Sequence, residues 1–468
     1  MIGPEGADRP RAGIILAGAV LLLWPSILNW HPYLFWDTYG YFLQGKAYAR
    51  LMLAAAGIGP PPAEVAQGWI GAAGRMLARD PAIRSPTWSL VTYGTAVAGS
   101  FWFLALTNAL AAAATVELAL VRLLGLPPAS RLLLLAGMAA LTSLPWFASY
   151  LMPDLFAGLL VLAASLLVFA WPSLRPAERA ALIALYVATL TFHTSQLLLG
   201  VLLPPLAALV PGTLAERGRR LVRLGVPCIA AAGLLVALGW LGFGEPSATP
   251  HSPPFLLARA WEDGPARAYL AEACPAAGWA ICAHLDRLAP TAQEFLWRKE
   301  DSYFAMDLAT RAALRAEERA ILFQALWADP LGEIRAALVN AASQAARFGL
   351  DDFVLGRGAA VTPTDYTFVY QPLAPAAAWG LGTFSAIVYG GAALALAVLA
   401  ALWRCGRLAA RERQMVLFVL AALLLNAAIC GALSGPHPRY QARVVWLLPL
   451  LAAALSLSPR AVPAPRAA

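Results

Sequence analysis

Apolar residues run for about twenty positions at a time along most of this chain, with polar residues gathered between the runs. A helix of about 20 apolar residues crosses the hydrocarbon of a bilayer. Such runs are readable over 12–31, 89–112, 132–150, 154–171, 180–193, 196–212, 224–243, 377–402, 415–433 and 441–457. The fifth is short, and the second can be extended as a longer helix to Leu126, with Glu117 and Arg122 near its end. The pattern predicts an all-α polytopic membrane protein of about ten transmembrane helices.

Two polar intervals are long. The first, 32–88, holds the helix-like stretches Tyr41–Ala56 and Ala63–Leu77. Their mixture of apolar and polar positions predicts amphipathic helices lying on the membrane surface. The second, 244–376, opens on the Pro-rich stretch Glu245–Pro254. Helical periodicity follows over Pro254–Ala273, Ala292–Ala328 and Pro330–Phe348, then lapses through Gly349–Pro375. This interval reads as a small, mostly helical domain between the seventh and eighth spans. The chain thus divides into 1–243, 244–376 and 377–468.

Arginine placement orients the spans. One set of loops carries Arg122 and Arg131, Arg175 and Arg179, Arg217 to Arg223, and Arg404 to Arg413; the short turns at 150–153 and 193–196 carry none. By the positive-inside rule the arginine-rich loops are cytoplasmic, as are both termini. The 32–88 and 244–376 intervals then face the periplasm of a bacterial inner membrane. Arg9 and Arg11 precede the first run, which ends in Trp30, His31 and Pro32 rather than a small-residue cleavage site, so it reads as a retained helix.

Composition agrees. The chain of 468 residues is 60% hydrophobic and 13% charged, with a mean hydropathy of +0.65; soluble domains carry about 25% charged residues. The net charge of +8 therefore belongs to membrane orientation and predicts no nucleic-acid partner; the membrane lipids are the expected surroundings. Cys274 and Cys282 both fall in the 244–376 domain, on the oxidising side, where a disulfide between them is expected. Cys228 and Cys430 lie in spans, and no Cys/His spacing resembles a zinc site. There is no Walker loop, no Gly-rich nucleotide fingerprint and no Gly-x-Ser-x-Gly. The cytoplasmic loops are too short for a nucleotide-binding domain. An enzyme built this way takes its activated substrate from the membrane or from outside.

Ionisable groups at membrane depth are costly and point to function. Here they return to one level, the outer boundary. Asp37 follows the first span in Phe35-Trp36-Asp37-Thr38-Tyr39-Gly40-Tyr41; Asp154 opens the fourth after Tyr150-Leu151-Met152-Pro153; His193 joins the fifth and sixth; His437, Arg439, Tyr440 and Arg443 open the tenth. Each has a plainer reading. Asp154 after Pro153 can cap a helix, His193 can be a turn residue, and the two arginines can meet lipid phosphates non-specifically. Asp37 is the least easily explained in this way. Glu262 and Asp263 can approach from the outer domain, or simply end a helix before Gly264-Pro265. Together the groups supply a base for an acceptor hydroxyl (Asp37), guanidinium forks for a phosphate (Arg439 and Arg443), and residues that position the acceptor or hold a divalent ion, with Asp37, Asp154 and His193 as the candidate ligands for Mg or Mn.

A first span followed at once by an acidic outer loop, then surface helices, many spans and a late soluble domain, resembles the GT-C glycosyltransferases. Phe35-Trp36-Asp37-Thr38-Tyr39-Gly40-Tyr41 looks like that family's catalytic-loop acidic motif, although many members carry an acidic pair where this chain has Asp37-Thr38. Tyr150-Leu151-Met152-Pro153-Asp154 looks like its second acidic position. The resemblance implies a polyprenyl-phosphate sugar donor, an inverting transfer, and a glycan, lipid or protein acceptor. Two other readings share the outline: an O-antigen-type polysaccharide polymerase or ligase, and a transporter or flippase for a lipid-linked substrate. The charge-free mid-span regions speak against transport.

Overall fold

The computed structural model describes residues 11–78, 84–274, 276–353, 355–362, 365–371 and 375–458, the stretch 355–379 as backbone alone. The architecture is that of a helical membrane protein. The expected first run is broken: α1 (Ala12–Leu22) ends one residue before α2 (Trp24–Leu28), where Pro25 has no amide to continue the ladder. Asp37 lies in the first turn of α3 (Trp36–Ala55), which starts five residues before the periodicity suggested. Instead of a second surface helix over Ala63–Leu77 there is a 3₁₀ turn at Ala63–Gln67 and the short α4 (Ala72–Met76).

The expected second run is also two helices, α5 (Pro86–Val97) and α6 (Phe101–Arg122), separated at Gly99 (φ 142°) and the extended Ser100. Ser100 caps α6 by accepting from Trp102 N–H. The two charges of α6 are both paired: Glu117 meets Arg131 at 2.5 Å and Arg122 meets Glu178 at 2.8 Å. Arg131 sits on α7 (Pro128–Leu141), which is followed by the short α8 (Leu144–Ala148).

Next comes α9 (Leu155–Phe169), and every one of its residues is buried. A helix apolar on all sides belongs at the centre of a bundle. It is ringed by α6, by α10 (Pro176–Phe192), α11 (Thr194–Leu209) and α12 (Leu214–Phe243), and by α19 (Ala410–Ser434) and α20 (Pro438–Val445) from the far end of the chain. Gly158 allows this closeness, since a Cβ there would meet the Trp446 indole at 2.6 Å.

Between α12 and α19 the chain builds a second core around Leu257, Trp261, Leu270, Phe295, Leu314 and Ile321. Its helices are α13 (Phe255–Asp263), α14 (Pro265–Ala273), α15 (Ala292–Trp297) and α16 (Leu308–Ala328); α17 (Pro330–Ala346) then packs along α19. Cys274 and Cys282 form a disulfide, with Cα atoms 5.5 Å apart. The stretch read as irregular contains an antiparallel hairpin of β1 (Leu355–Thr362) and β2 (Asp365–Gln371), the one departure from helix among the named elements. Then come α18 (Pro375–Arg404), α19, α20 and α21 (Leu447–Leu457).

Among the described residues, five helical segments are long and apolar enough to cross a membrane: Phe101–Arg122, Leu214–Phe243, Gly380–Arg404, Ala410–Ser434 and Pro438–Leu457. α1, α7, α9 and α11 are apolar but shorter.

Candidate functional site

The polar groups named from the sequence meet at the N-terminal end of α9. The backbone brings them there first. Tyr33, four residues before Asp37, pairs in parallel with Tyr150, four residues before Asp154: Tyr33 N–H donates to Ser149 O and Leu151 N–H to Tyr33 O, both at 2.9 Å. The two acidic segments are thus stitched side by side. Asn108 of α6 donates to Tyr150 O at 3.2 Å, and Ser143 to Ala442 O at 2.6 Å, which adds the α20 segment.

Asp37 is not alone. Arg84 Nη2 lies 2.6 Å from Asp37 Oδ1. α3 itself fixes this partner. Two turns on from Asp37, the buried amide of Gln44 donates to Arg84 O and accepts from Arg84 N–H, both at 2.6 Å. The Arg84 guanidinium also lies over the ring of Trp297 in α15, 5.7 Å from its centroid. Burial alone pushes the Asp37 carboxyl up. The guanidiniums of Arg84 and Arg439, with His193 a smaller influence, more than offset it, so Asp37 is held below the usual carboxylate range and is ionised at neutral pH. Its side chain is 24% exposed, the wettest of the cluster's ion-paired carboxylates.

Arg439 and Arg443 sit one turn apart on α20 and do different things. Arg439 lies with its guanidinium 4.0 Å from the centroid of the Phe35 ring and 5.0 Å from that of Tyr440. Its backbone N–H donates to Asp352 Oδ2 at 3.0 Å. Its Nη1 is buried without a hydrogen bond of ordinary length among the described residues. Arg443, 1% exposed, spends its donors: Nη1 on Asp154 Oδ1 at 3.3 Å, and Nη2 on Ser195 Oγ at 2.9 Å and Asn426 Oδ1 at 3.1 Å. It ties α20 to α9, α11 and α19. The sequence-based pairing of both arginines on one phosphate therefore divides: Arg439 keeps Nη1 available, whereas both terminal nitrogens of Arg443 are committed and only its Nε makes no hydrogen bond among the described residues.

His193 caps α11, with Nδ1 accepting from Ser195 N–H at 3.2 Å and lying 2.9 Å from Ser195 Oγ. His437 caps α20. Gln344 of α17 brackets it, donating to His437 O at 2.8 Å and accepting from His437 N–H at 2.9 Å. The Tyr440 ring packs against His437 and near both arginines. Glu262 and Asp263 pair with Arg259, and Asp263 also accepts from Asn340. They brace α13 rather than join the cluster, although Glu262 lies within electrostatic reach of His437.

Among the described residues no group of three or more His, Cys, Asp or Glu could hold a metal ion. Asp37 and Asp154 each face a guanidinium, which repels a divalent cation. The set does not fit Mg or Mn, and no step is routed through one. A concavity of about 100 Å³ lined by His284, Arg287, Asp301 and Ser302 lies on the outer domain and holds none of the cluster's groups.

Sequence reasoning missed Arg84, Asp352, Ser195 and Asn426. Arg84 stands among other arginines of the first long interval, and nothing in the local pattern sets it apart. Asp352 lies just past the end of helical periodicity. Ser195 and Asn426 are short polar residues within apolar context, a weak signal that gains meaning only once Arg443 is placed between them.

Comparison with protein-family models, with curated proteins and with solved structures finds no match for this chain. Fold and site together define a helical membrane protein with a charged cluster at one end of a buried central helix.

Proposed function

We propose that this protein is a membrane glycosyltransferase of the GT-C type, moving a sugar from a polyprenyl-phosphate donor to a glycan, lipid or protein acceptor. The observation that carries the reading is a partly exposed carboxylate, Asp37, bound to Arg84 and within electrostatic reach of Arg439, whose buried Nη1 makes no hydrogen bond of ordinary length among the described residues. A phosphate brings the acceptors such a nitrogen lacks. The carboxylate beside it is placed to take a proton.

In this reading the acceptor hydroxyl attacks the anomeric carbon while the bond from that carbon to the phosphate oxygen breaks. The electron pair leaves on the polyprenyl phosphate, held by Arg439 and Arg84, and the hydroxyl proton passes to Asp37. Because Arg84 is bound to Asp37 before the donor arrives, a phosphate that draws Arg84 away makes Asp37 a stronger base. The rings of Phe35, Tyr150, Phe353 and Trp146 pack as an aromatic cluster beside Arg439.

The full topology belongs to the same proposal. Ten spans are formed by α1–α2, α6, α7–α8, α9, α10, α11, α12, α18, α19 and α20–α21, in a bacterial inner membrane with both termini cytoplasmic. The arginine-rich ends then face the cytoplasm and the Asp37 cluster the periplasm. Its support is the long and short apolar helices and the gathering of Arg179, Arg223 and Arg411 at the end of α9 away from Asp154.

The test is Asp37→Asn in a transfer assay with reconstituted protein. The carboxamide keeps the shape and removes the proton acceptor. Transfer is expected to fall by at least about a hundredfold while the protein remains inserted and folded. Near-normal turnover in this variant sinks the assignment of the base.

A further inference from the structure

The far end of α9 carries a second concentration of charge that the reaction above does not use. Three arginines from three other helices converge there on the last carbonyls of α9 and the turn after it. Arg223 of α12 donates to Leu167 O at 2.8 Å, Arg411 of α19 to Phe169 O at 2.6 Å, and Arg179 of α10 to Trp171 O at 3.0 Å. Capping a helix C-terminus with cations is favourable. It does not use up these side chains. A guanidinium has five N–H donors, and these bonds take one from each of Arg179 and Arg223. Both of those guanidiniums also lie over the Trp171 ring, 4.6 Å and 4.0 Å from its centroid.

No anion balances them. Arg219 and Arg220 lie close enough to Arg223 to act on it electrostatically. None of Arg179, Arg219, Arg220, Arg223 and Arg411 forms an ion pair among the described residues. The nearby acids form their hydrogen bonds elsewhere, although Glu216 lies within electrostatic reach of Arg219 and Arg220. Glu178 takes Arg122 and Arg175 N–H, Glu216 takes Thr213 N–H, and Glu412 takes Ala409 N–H. Like charges held around one tryptophan, at the end of a helix buried in an apolar bundle, leave a place for a phosphate at the height where lipid headgroups lie.

We propose that Trp171, Arg179 and Arg223, with Arg219, Arg220 and Arg411 beside them, bind the headgroup phosphate of an anionic phospholipid in the leaflet opposite the Asp37 cluster. The indole packs on the glycerol and upper acyl region while the guanidiniums hold the phosphate. This site is separate from the transfer reaction and stands or falls without it.

The experiment is native mass spectrometry of the purified full chain, titrated with phosphatidylglycerol, phosphatidylcholine and inorganic pyrophosphate. Wild type is expected to retain phosphatidylglycerol saturably and at least tenfold more tightly than phosphatidylcholine. At about fivefold per arginine near a charged surface, Arg179→Gln/Arg223→Gln is expected to weaken that binding about 25-fold. Since this pair also caps α9, Arg219→Gln serves as the variant that leaves the capping bonds alone; it is expected to weaken binding about fivefold. Unchanged phosphatidylglycerol affinity in Arg219→Gln and in any folded double variant overturns the site. Equal retention of phosphatidylcholine overturns its anion selectivity, and pyrophosphate bound as tightly as the lipid overturns the headgroup in favour of a free anion.

Discussion

Two aspartates that look alike in the sequence sit in opposite circumstances. Asp37 is partly wet and bound to Arg84, whereas Asp154 is buried and bound to Arg443, which is 1% exposed. Removing Asp154 leaves a guanidinium buried without its counter-charge, so Asp154→Ala is expected to destabilise the fold by about 3–5 kcal/mol, read as a lowered Tm in detergent. Asp37→Asn removes a wetter ion pair with Arg84 and is expected to lower Tm less than Asp154→Ala does. A Tm loss confined to Asp37→Asn would reverse the two roles. The Asp37 pKa is depressed in the folded state, so the stability from its pairing is complete above the unfolded carboxylate pKa and is lost as pH falls through the lower folded value. In Arg84→Gln the acid limb of the pH–rate profile is expected to move upward, toward and above the ordinary aspartate value of about 3.9; a limb that stays put shows that Arg84 does not control Asp37. Asp37, Asp154, His193, Arg439 and Arg443 could be picked from the sequence because charge at membrane depth is rare enough to be noticed. Arg84 could not, because its importance comes from Gln44 holding its backbone across 40 residues of chain.

At the scale of elements, hydropathy found the apolar segments and missed where they break. The run 89–112 contains the Gly99–Ser100 corner, and a window of twenty residues averages over two small residues. α2 begins where Pro25 interrupts the ladder, again inside one apolar run. The close crossing of α3 on α5 was also invisible. Gly45 is there because a Cβ would overlap Ser89 O and the Tyr93 side chain. Gly45→Val is expected to push the two helices apart at a cost of about 1–3 kcal/mol, and, since α3 carries both Asp37 and Gln44, to weaken the hold on Arg84. Thermal unfolding checks the first effect; wild-type stability in the variant contradicts the tight crossing.

For the whole molecule, the interval 244–376 holds both a separate core and a clamp on the site. Its own core surrounds Trp261 and Phe295, and the Cys274–Cys282 bond closes a short loop beside it. Replacing both cysteines by serine is expected to cost that domain about 2–3 kcal/mol, seen as faster proteolysis of 244–376 with the membrane helices left intact. Beyond the domain's own helices, Gln344 and Asp352 grip the backbone of His437 and Arg439 and so set the height of α20. Helical periodicity was legible in the stretches that form α13 to α17, and the hairpin after them was not. The sequence did not reveal the clamp, which depends on side chains 87 and 93 residues from their partners. In the proposed reaction Arg439 is the group that meets the donor phosphate. The deciding measurement is saturable binding of a panel of polyprenyl-phosphate sugars to the purified full chain, for wild type and Arg439→Ala. Wild type is expected to bind one sugar class, and Arg439→Ala to bind it at least about tenfold more weakly, the least expected for losing a charged hydrogen bond. Equal affinity in the two proteins, or no binding to any member of the panel, contradicts the account.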